Sequence, residues 1–303
     1  MEEEKLFEKI SKEELEIKEF VRPSIGYWAD AWRRLKMNRL AIAGLVMISI
    51  VILLAIFGPM FSPYGYDETN LNNVYAPISR EHWFGTDELG RDEFTRVLYG
   101  ARISLAVGFV ASFINLIIGV IYGGISGFLG GKTDNIMMRI VDILYSIPTL
   151  LIVILLMVVL KPGLTNIFIA LGISYWVGMA RIVRGQTLSL KEQEFTLAAR
   201  TLGASRTRIL IRHIVPNAIG PIVVTATLLI PNAIFFESFL SFIGLGVSAP
   251  MASWGSLASD GIRGFQSHPN LLFAPALFIS VSMLSFNFLG DGLRDALDPR
   301  LRK

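Results

Sequence analysis

The sequence predicts an all-α integral membrane protein with six membrane-spanning helices in one membrane domain. Hydrophobic residues make up 52% of the 303-residue chain and charged residues only 17%, against about 25% charged residues in typical soluble domains. Several apolar stretches of roughly 20 residues, the length of helix that crosses the hydrocarbon core, separate polar and turn-rich segments. Lysine and arginine concentrate in only some of these segments, so the orientation of the chain can also be predicted.

Residues 1–38 are predicted to form a cytosolic tail and a helix at the membrane surface. Residues 1–21 hold eight Glu and four Lys, a composition that indicates a solvated tail and no secretory signal. Trp28, Trp32 and Leu35 then fall on one helical face, followed by several basic residues. This pattern is typical of a helix that lies in the bilayer interface and leads into a span.

The membrane domain is predicted to cover residues 39–303. Its third span contains Pro148, which we expect to kink the helix. Arg139 and Asp142 lie near the start of that span, where we expect them to pair with each other or with lipid headgroups. The six predicted spans are residues 40–61, 103–129, a third that ends near 160, 164–180, 219–245 and 271–289.

Four glycines follow one another at four-residue intervals in and just beyond the second span, at positions 119, 123, 127 and 131. Residues at this spacing share nearly one face of a helix. Because small residues let two helix backbones approach closely, we expect this face to pack against another helix. A role in lining a pore is the alternative.

Charges place both termini in the cytosol. The outer loop, residues 62–102, carries four Arg against seven acids, whereas the basic loop, residues 181–216, carries seven Lys and Arg against two acids. Cytoplasmic loops hold the excess of Lys and Arg, so the basic loop is predicted to be cytosolic. Six spans satisfy this arrangement, whereas five or seven would leave one basic end outside.

The basic loop is long for a connection between spans and is helical in propensity. Residues 192–202 are predicted to form one helix, which Gly203 ends. Ser205 can cap a second helix that carries Arg206, Arg208 and Arg212. Two short helices at an angle would form a rigid knuckle that can lie along the membrane and fill a groove in a partner.

The contact surface of this knuckle is predicted to be small and apolar. Leu197, Ala198 and Ala199 would supply that surface, and the arginines would be polar anchors at its rim. The alternative interpretation is a cytosolic loop whose arginines only contact lipid headgroups.

The run LAARTLGASRTRILIRHIVPN resembles the signature loop of ATP-binding cassette (ABC) importer permeases: Glu-Ala-Ala, three residues, Gly, and Pro thirteen residues later. Leu197 stands at the Glu position of that signature, with Glu194 one turn earlier, and His213 stands at an Ile position. The resemblance implies a coupling helix that sits in a cleft of a cytosolic ATPase. The candidate coupling residues are Glu194, Leu197, Ala198, Ala199, Arg200, Gly203, Ala204, Arg206, Arg208 and Pro216.

Three further stretches resemble the permeases of dipeptide, oligopeptide and nickel importers, and best the C-type subunit of each pair. They begin at His82, Glu237 and Asn287 and read HWFGTDELGRDEFTRVLYGARISL, ESFLSFIGLGVSAPMASWGSLASDG and NFLGDGLRDALDPR. With the surface helix, the resemblance covers most of residues 27–300. It implies the type I ABC importer permease fold in the cytoplasmic (inner) membrane of a prokaryote.

The resemblance also implies an assembly of two permeases, two ATPases beneath them and an external solute-binding protein. The chain is then expected to be a transport subunit that is not an enzyme and binds no cofactor, with ATP and Mg on the partner ATPases. Besides these proteins we expect membrane lipid as a partner, but not nucleic acid, because no basic patch is interleaved with aromatic residues.

The expected function is import of dipeptides or short oligopeptides by alternating access. One alternative keeps the architecture and changes the solute to nickel or a nickel chelate. A less favoured alternative is a secondary transporter driven by an ion gradient, which would predict inverted repeats and carboxylates near the bilayer midplane.

Glu237, Asn232 and Asn287 are the candidates for the solute pathway, because polar and ionisable groups inside spans usually face the protein interior. Glu237 could attract the cationic amino terminus of a peptide, or it could be a structural hydrogen-bonding partner near the outer gate. Asn232 and Asn287 could form hydrogen bonds between helices.

In the outer loop, Asp87, Arg91 and Asp92 are the candidates for contact with the binding protein, with bracing of the loop as the alternative. No metal site is expected in the chain. Cysteine is absent, and the three histidines lie far apart in the sequence.

Overall fold

A computed structural model describes residues 26–298, and this part of the chain folds into helices without a β-strand. The acidic tail and the last basic residues of the chain lie outside the described residues. The helices, numbered in chain order, are α1 Tyr27–Met37, α2 Arg39–Phe61, α3 Glu93–Leu129, α4 Gly131–Ser146, α5 Thr149–Leu160, α6 Leu164–Lys191, α7 Glu194–Thr201, α8 Arg206–Ile209, α9 Val215–Asn217, α10 Ile219–Phe242, α11 Trp254–Arg263 and α12 Asn270–Leu297.

Five of these helices, α2, α3, α6, α10 and α12, are long and apolar enough to cross a membrane. The third predicted span is broken, because α4 and α5 meet at an angle of 84°. The break falls at Pro148, whose ring cannot continue the hydrogen-bond ladder of α4. With 12 residues, α5 is about 18 Å long, so only the bent pair together can make the sixth crossing.

Two spanning helices extend beyond the bounds that the sequence predicted. The first ten residues of α3 were assigned to the outer loop, and residues 181–191 of α6 to the basic loop. The true loops are therefore shorter, at residues 62–92 and 192–218. A side-chain oxygen of Asp92 accepts a hydrogen bond from the Thr95 amide at 2.8 Å and so caps the start of α3.

The glycine face of α3 packs on α6, as predicted. A Cβ atom added at Gly119 would collide with Met179, one at Gly123 with the carbonyl of Ala180, and one at Gly127 would lie 2.8 Å from the carbonyl of Arg184. The backbones of the two helices therefore touch along this face. The prediction is wrong for Gly131, which begins α4 at a φ of +55° and has open space around it.

An arginine of α3 satisfies the backbone of α2 near the outer end of both helices. Pro59 lies inside α2 and has no N–H, so the carbonyl of Ala55 lacks its usual helical partner. The Arg102 guanidinium donates hydrogen bonds to the carbonyls of Ala55 and Ile56 at 2.6 Å and 2.7 Å. The charge of Arg102 in α3 is therefore accounted for by its hydrogen bonds to α2, one of which goes to the carbonyl that Pro59 leaves without a helical partner.

The two outer loops interlock on one side of the bundle. The Asn270 amide donates to the carbonyl of Phe84 at 2.6 Å, and the rings of Tyr75 and His268 stack with their centres 4.6 Å apart. Residues 246–270, which lie between the fifth and sixth predicted spans, contain the helix α11. Trp254 at its start is fully buried and donates to the carbonyl of Val97 at 3.1 Å.

The opposite side of the bundle holds α1 and the end of α12. Ala31 and Leu35 of α1 are buried against residues of α10 and α12, including Leu297. Trp28 and Trp32 remain 59% and 47% exposed, as expected for a helix that presents aromatic rings to the bilayer interface.

Candidate coupling surface

The knuckle, residues 194–217, is joined directly to the end of α6. Its first helix, α7, begins at Glu194, two residues after α6 has reached its cap. The hydroxyl of Thr196 is buried and donates to the carbonyl of Leu190 at 2.8 Å. The amide of Gln193 donates to the same carbonyl at 3.3 Å, and the two bonds tie the start of α7 to the end of α6.

A tight turn at Gly203 ends α7. Gly203 has a φ of +81°, and its amide donates to the carbonyl of Arg200 at 3.0 Å, while the amide of Ala204 donates to that of Ala199 at 3.1 Å. A Cβ atom at Gly203 would meet nothing within 4 Å, so glycine is needed here for the backbone conformation alone. The predicted helix break is confirmed.

The second helix of the knuckle begins at the predicted cap. The hydroxyl of Ser205 accepts a hydrogen bond from the amide of Arg208 at 3.3 Å. The helix then passes through a π-helical stretch, Leu210–Ile214, and ends with the short α9 at Asn217. Pro216 lies exposed near the start of α9, where a missing N–H is tolerated.

A small apolar core holds the two helices of the knuckle together. Ala199, Ile209 and Ile214 are each at most 8% exposed and pack with Phe128 at the end of α3 and Leu190 at the end of α6. The prediction that Ala199 belongs to the contact surface is therefore wrong. Its side chain is part of this core, which makes the knuckle one body with the ends of two spanning helices.

Three apolar side chains of α7 and its C-terminal cap are exposed. Leu197 is 42% exposed, Phe195 39%, and Leu202, the residue that caps the helix, 87%. Leu202 was not among the contact residues predicted for the knuckle. The remaining candidates Glu194, Ala198, Arg200, Arg206 and Arg208 are exposed, and Ala204 is half-buried in the knuckle core.

Two ion pairs fix α4 to α6 below the knuckle. Arg184 donates to both carboxylate oxygens of Asp134 at 2.8 Å and 2.6 Å, a bidentate geometry that is stronger than a single contact. Asp142 pairs with Arg181 at 2.6 Å, so of the two predicted alternatives, pairing with Arg139 or contact with lipid headgroups, the first is wrong. Sequence spacing alone could not identify these partners, because 50 and 39 positions separate them.

Glu237 is fully buried in α10, and three helices converge on it. Its two carboxylate oxygens accept hydrogen bonds from Ser104 of α3 at 2.7 Å and from Ser241 at 2.8 Å. The Ser104 hydroxyl in turn accepts from the amide of Trp254 at 3.2 Å. This geometry supports the structural alternative, and contact with the solute stays a prediction.

The two asparagine candidates are exposed. The Asn232 amide donates to the carbonyl of Leu228 in its own helix at 3.0 Å, so the bond between helices predicted for it is wrong. Asn287 lies exposed on α12 and forms no hydrogen bond with the other residues between 26 and 298. Their role along the solute pathway stays a prediction.

The outer-loop candidates Asp87, Arg91 and Asp92 are at most 8% exposed. Asp87 accepts from Arg91 Nε at 2.7 Å and also pairs with Arg96. Asp92 contacts Nδ1 of His82 at 2.9 Å in addition to capping α3. These contacts support the bracing alternative, and direct contact with a binding protein stays a prediction.

A longer ion pair joins the charged residues around Asp87 to α11. Asp260 lies 3.8 Å from Arg96. Burial raises the pKa of the Asp260 carboxyl above its ordinary value, and the positive charges of Arg96 and Arg263 only partly offset that effect. In the part of the chain that the structure describes, no three His, Cys, Asp or Glu side chains are grouped so that they could hold a metal ion.

Two family models match the chain. The model of the inner membrane component of binding-protein-dependent transport systems matches residues 116–303, and the model of the N-terminal transmembrane domain of oligopeptide transport permease C matches residues 26–77. The first covers the helices around the knuckle, and the second covers α1, α2 and the start of the outer loop.

Full-length relatives are also similar. The chain is 58% identical over 282 residues to the oligopeptide transport system permease protein OppC of Bacillus subtilis, which covers 93% of this chain and 92% of that protein. It is 56% identical over 283 residues to the dipeptide transport system permease protein DppC of the same organism, with 93% and 88% covered. Escherichia coli OppC is 50% identical over 277 residues, with 91% and 92% covered.

A solved structure shares the fold. The inward-facing MetNI methionine ABC transporter contains a chain that superposes with a TM-score of 0.54 at 20% sequence identity, covering 67% of this chain and 96% of that one.

Proposed function

The chain belongs to the C-type permease subunits of the dipeptide and oligopeptide ABC importers, and on that basis we propose that it imports short peptides by alternating access. It is a multi-pass inner membrane subunit of a bacterial transporter and is not an enzyme. In the proposed cycle, ATP-driven closure of two ATPases pushes the coupling elements of two permeases together and turns the cavity outward. ATP hydrolysis then resets the assembly.

The rigid knuckle is the observation that carries this proposal. A lever must transmit force without bending, and the knuckle has its own core, a capped second helix and a hydrogen bond from Thr196 to the end of α6. The ion pair between Asp134 and Arg184 joins its supporting helix to the bent third span. Movement of the knuckle would therefore be passed to α3, α6 and α4 together.

The exposed apolar side chains of α7 are the proposed seat of the ATPase. Interfaces are formed by buried apolar anchors within a polar rim. Leu197 and Leu202 supply such anchors, and Arg200 supplies the rim. Glu194 lies at the start of the same helix and is the proposed substitute for the Glu that the family signature carries at position 197.

A peptide is the proposed solute, because the relatives described above are permeases named for oligopeptide and dipeptide transport. Nothing among the described residues favours nickel, since no group of metal-ligating side chains occurs there. Membership of an ABC importer family sets aside the alternative of an ion-coupled transporter. A second permease and an external binding protein complete the proposed assembly, with both termini and the knuckle in the cytosol.

The coupling role can be tested with Leu202→Asp and Leu197→Asp in the complete transporter. A charge placed at an apolar anchor must be desolvated when the ATPase binds. We expect each variant to insert normally but to lose most of the ATPase subunits on purification, and to lose the ATPase activity that peptide-loaded binding protein stimulates.

The matched control is Leu71→Asp in the outer loop, which places the same charge at a leucine whose exposure, 71%, lies between those of Leu197 and Leu202. This variant should retain its ATPase subunits in normal amount. Normal ATPase retention and stimulation in both knuckle variants would show that the ATPase does not sit on this surface.

A further inference from the structure

A groove runs between the end of α3 and the second helix of the knuckle. It has a volume of about 450 Å³, within the usual range of about 300–1,000 Å³ for small-molecule sites. Ile121, Ile125 and Leu129 form its α3 wall, one turn apart, and Leu210, Ile211 and Val215 form the wall opposite. Ile121 is 57% exposed and Ile211 60% exposed, so the apolar walls are open to the surroundings of the bundle.

One charged side chain lines the groove. Arg206 belongs to the lining together with Leu129 at the end of α3, and Arg208 and Arg212 follow on the same helix outside the lining. Arg206 is exposed, and its guanidinium forms no hydrogen bond or ion pair with any other residue between 26 and 298. An apolar trough that ends at an unpaired guanidinium is complementary to an amphiphile with an anionic head.

The position of the groove in the bilayer suits such a molecule. Along α3 the trough extends from Val120 to Leu129, which corresponds to about 14 Å of helix, and it ends where the membrane-spanning helix ends. In a bilayer whose apolar core reaches the end of this helix, the apolar walls would contact acyl chains and Arg206 would face headgroups. Juxtamembrane arginines attract anionic lipids of the cytoplasmic leaflet.

We infer that this groove binds one anionic phospholipid, with an acyl chain between α3 and the knuckle and its phosphate on Arg206. The choice of the cytoplasmic leaflet rests on the proposed orientation of the chain. The residues that line the groove do not include any of α7, so the lipid would leave the exposed leucines free for the proposed contact with an ATPase.

The inference can be tested on the purified transporter, with both permeases and both ATPases, in nanodiscs of phosphatidylcholine containing a photoactivatable phosphatidylglycerol. After illumination, mass spectrometry should find the label on residues of the groove walls. Arg206→Gln should lower this labelling about fivefold, as expected for the loss of one juxtamembrane cation. Arg206→Lys should restore most of it, and Arg208→Gln, which changes an arginine outside the groove, should have a much smaller effect.

A second variant tests the apolar part of the site. Ile211→Trp fills the trough and should reduce labelling while all three arginines remain, whereas Ile117→Trp, at a comparably exposed position of α3 outside the groove, should not. Labelling that neither Arg206→Gln nor Ile211→Trp reduces would overturn the inference. So would photocross-links from a probe in the groove to the partner permease, which would show a protein helix there instead.

The same samples separate this inference from the coupling proposal. Retention of the ATPase subunits is measured beside lipid labelling in every variant. Normal labelling with an ATPase that does not depend on the knuckle would contradict only the proposed coupling, and absent labelling with normal coupling would contradict only the lipid site.

Discussion

At the scale of single residues, Glu237 raises the question of what a carboxylate does deep in a span. Its carboxylate oxygens accept hydrogen bonds from Ser104 and Ser241, and the Ser104 hydroxyl also accepts one from the backbone amide of Trp254. Removing one partner from such a buried network leaves the others unsatisfied, at a cost of about 1–3 kcal/mol each. The side chain thus ties α3, α10 and α11 together at the outer end of the bundle.

The structural role of Glu237 predicts how Glu237→Gln will behave. Glutamine keeps one acceptor oxygen and fits the same space, so we expect a modest loss of transport that is the same for peptides with a free amino group and for N-acetylated peptides. Uptake of matched peptide pairs into proteoliposomes measures this. A selectively larger loss for the free-amino peptides would show instead that Glu237 contacts the solute.

At this scale, the interaction partners of the charged side chains were the feature that the sequence predicted least well. The sequence shows that Asp134, Arg184 and Arg102 lie near the ends of predicted spans, but each finds a partner on another helix. Asp134 meets Arg184 across the contact of α4 with α6, and Arg102 meets a carbonyl that Pro59 leaves free. Such pairings depend on which helices become neighbours, which local spacing does not encode.

At the scale of helices, the contact of α3 with α6 depends on the absence of side chains at one face. A methyl group at Gly123 would overlap the carbonyl of Ala180, so Gly123→Ala must push the helices apart. We expect a loss of about 1–3 kcal/mol, the usual cost of overpacking, seen as a lower unfolding temperature of the detergent-purified complex.

Gly178 provides the control for this prediction. It lies in α6, and a Cβ atom there would meet nothing within 4 Å. Because alanine has a higher helix propensity than glycine by about 1 kcal/mol, Gly178→Ala should leave the unfolding temperature unchanged or raise it. Equal behaviour of the two alanine variants would mean that the helices are not held at this close distance.

The spans and the helix break of the knuckle were predictable, whereas the helix ends were not. Apolar runs identify spans because a chain in lipid must satisfy its backbone groups within a helix. In water no such rule ends the helix, so α3 and α6 continue beyond the bilayer. Asp92 is of a residue type that often caps helices, so the start of α3 could have been predicted from the sequence. The buried face of α7 could not be predicted from the sequence, because Ala199 packs on residues from α3 and α6 that are distant in the chain.

At the scale of the whole molecule, successive spanning helices run in opposite directions, so the connecting segments lie at two different ends of the helix bundle. Residues 62–92 contact residues 246–270 at one end, and α1, the knuckle and the end of α12 lie at the other. Crossing an even number of times is possible only if the bent pair of α4 and α5 counts as one span. The proposed orientation puts the knuckle end in the cytosol.

This orientation can be tested directly, because the chain has no cysteine and any single introduced thiol can be labelled alone. In spheroplasts, a membrane-impermeant maleimide should label Leu71→Cys in the outer loop. Lys132→Cys, exposed at the start of α4, should react only after the membrane is permeabilised. The reverse pattern would mean that the knuckle faces away from the ATPases.

The interlocked outer loops also have a consequence for biosynthesis. Ser104, Arg96 and the carbonyl of Val97 belong to the second helix to enter the membrane, but their partners Glu237, Asp260 and Trp254 are synthesised more than 130 residues later, since the Ser104–Glu237 pair alone spans 133 positions. The N-terminal half therefore enters the membrane without these three contacts, which form only after α10 and α11 have been synthesised. A chain that stops before α10 would lack all of them.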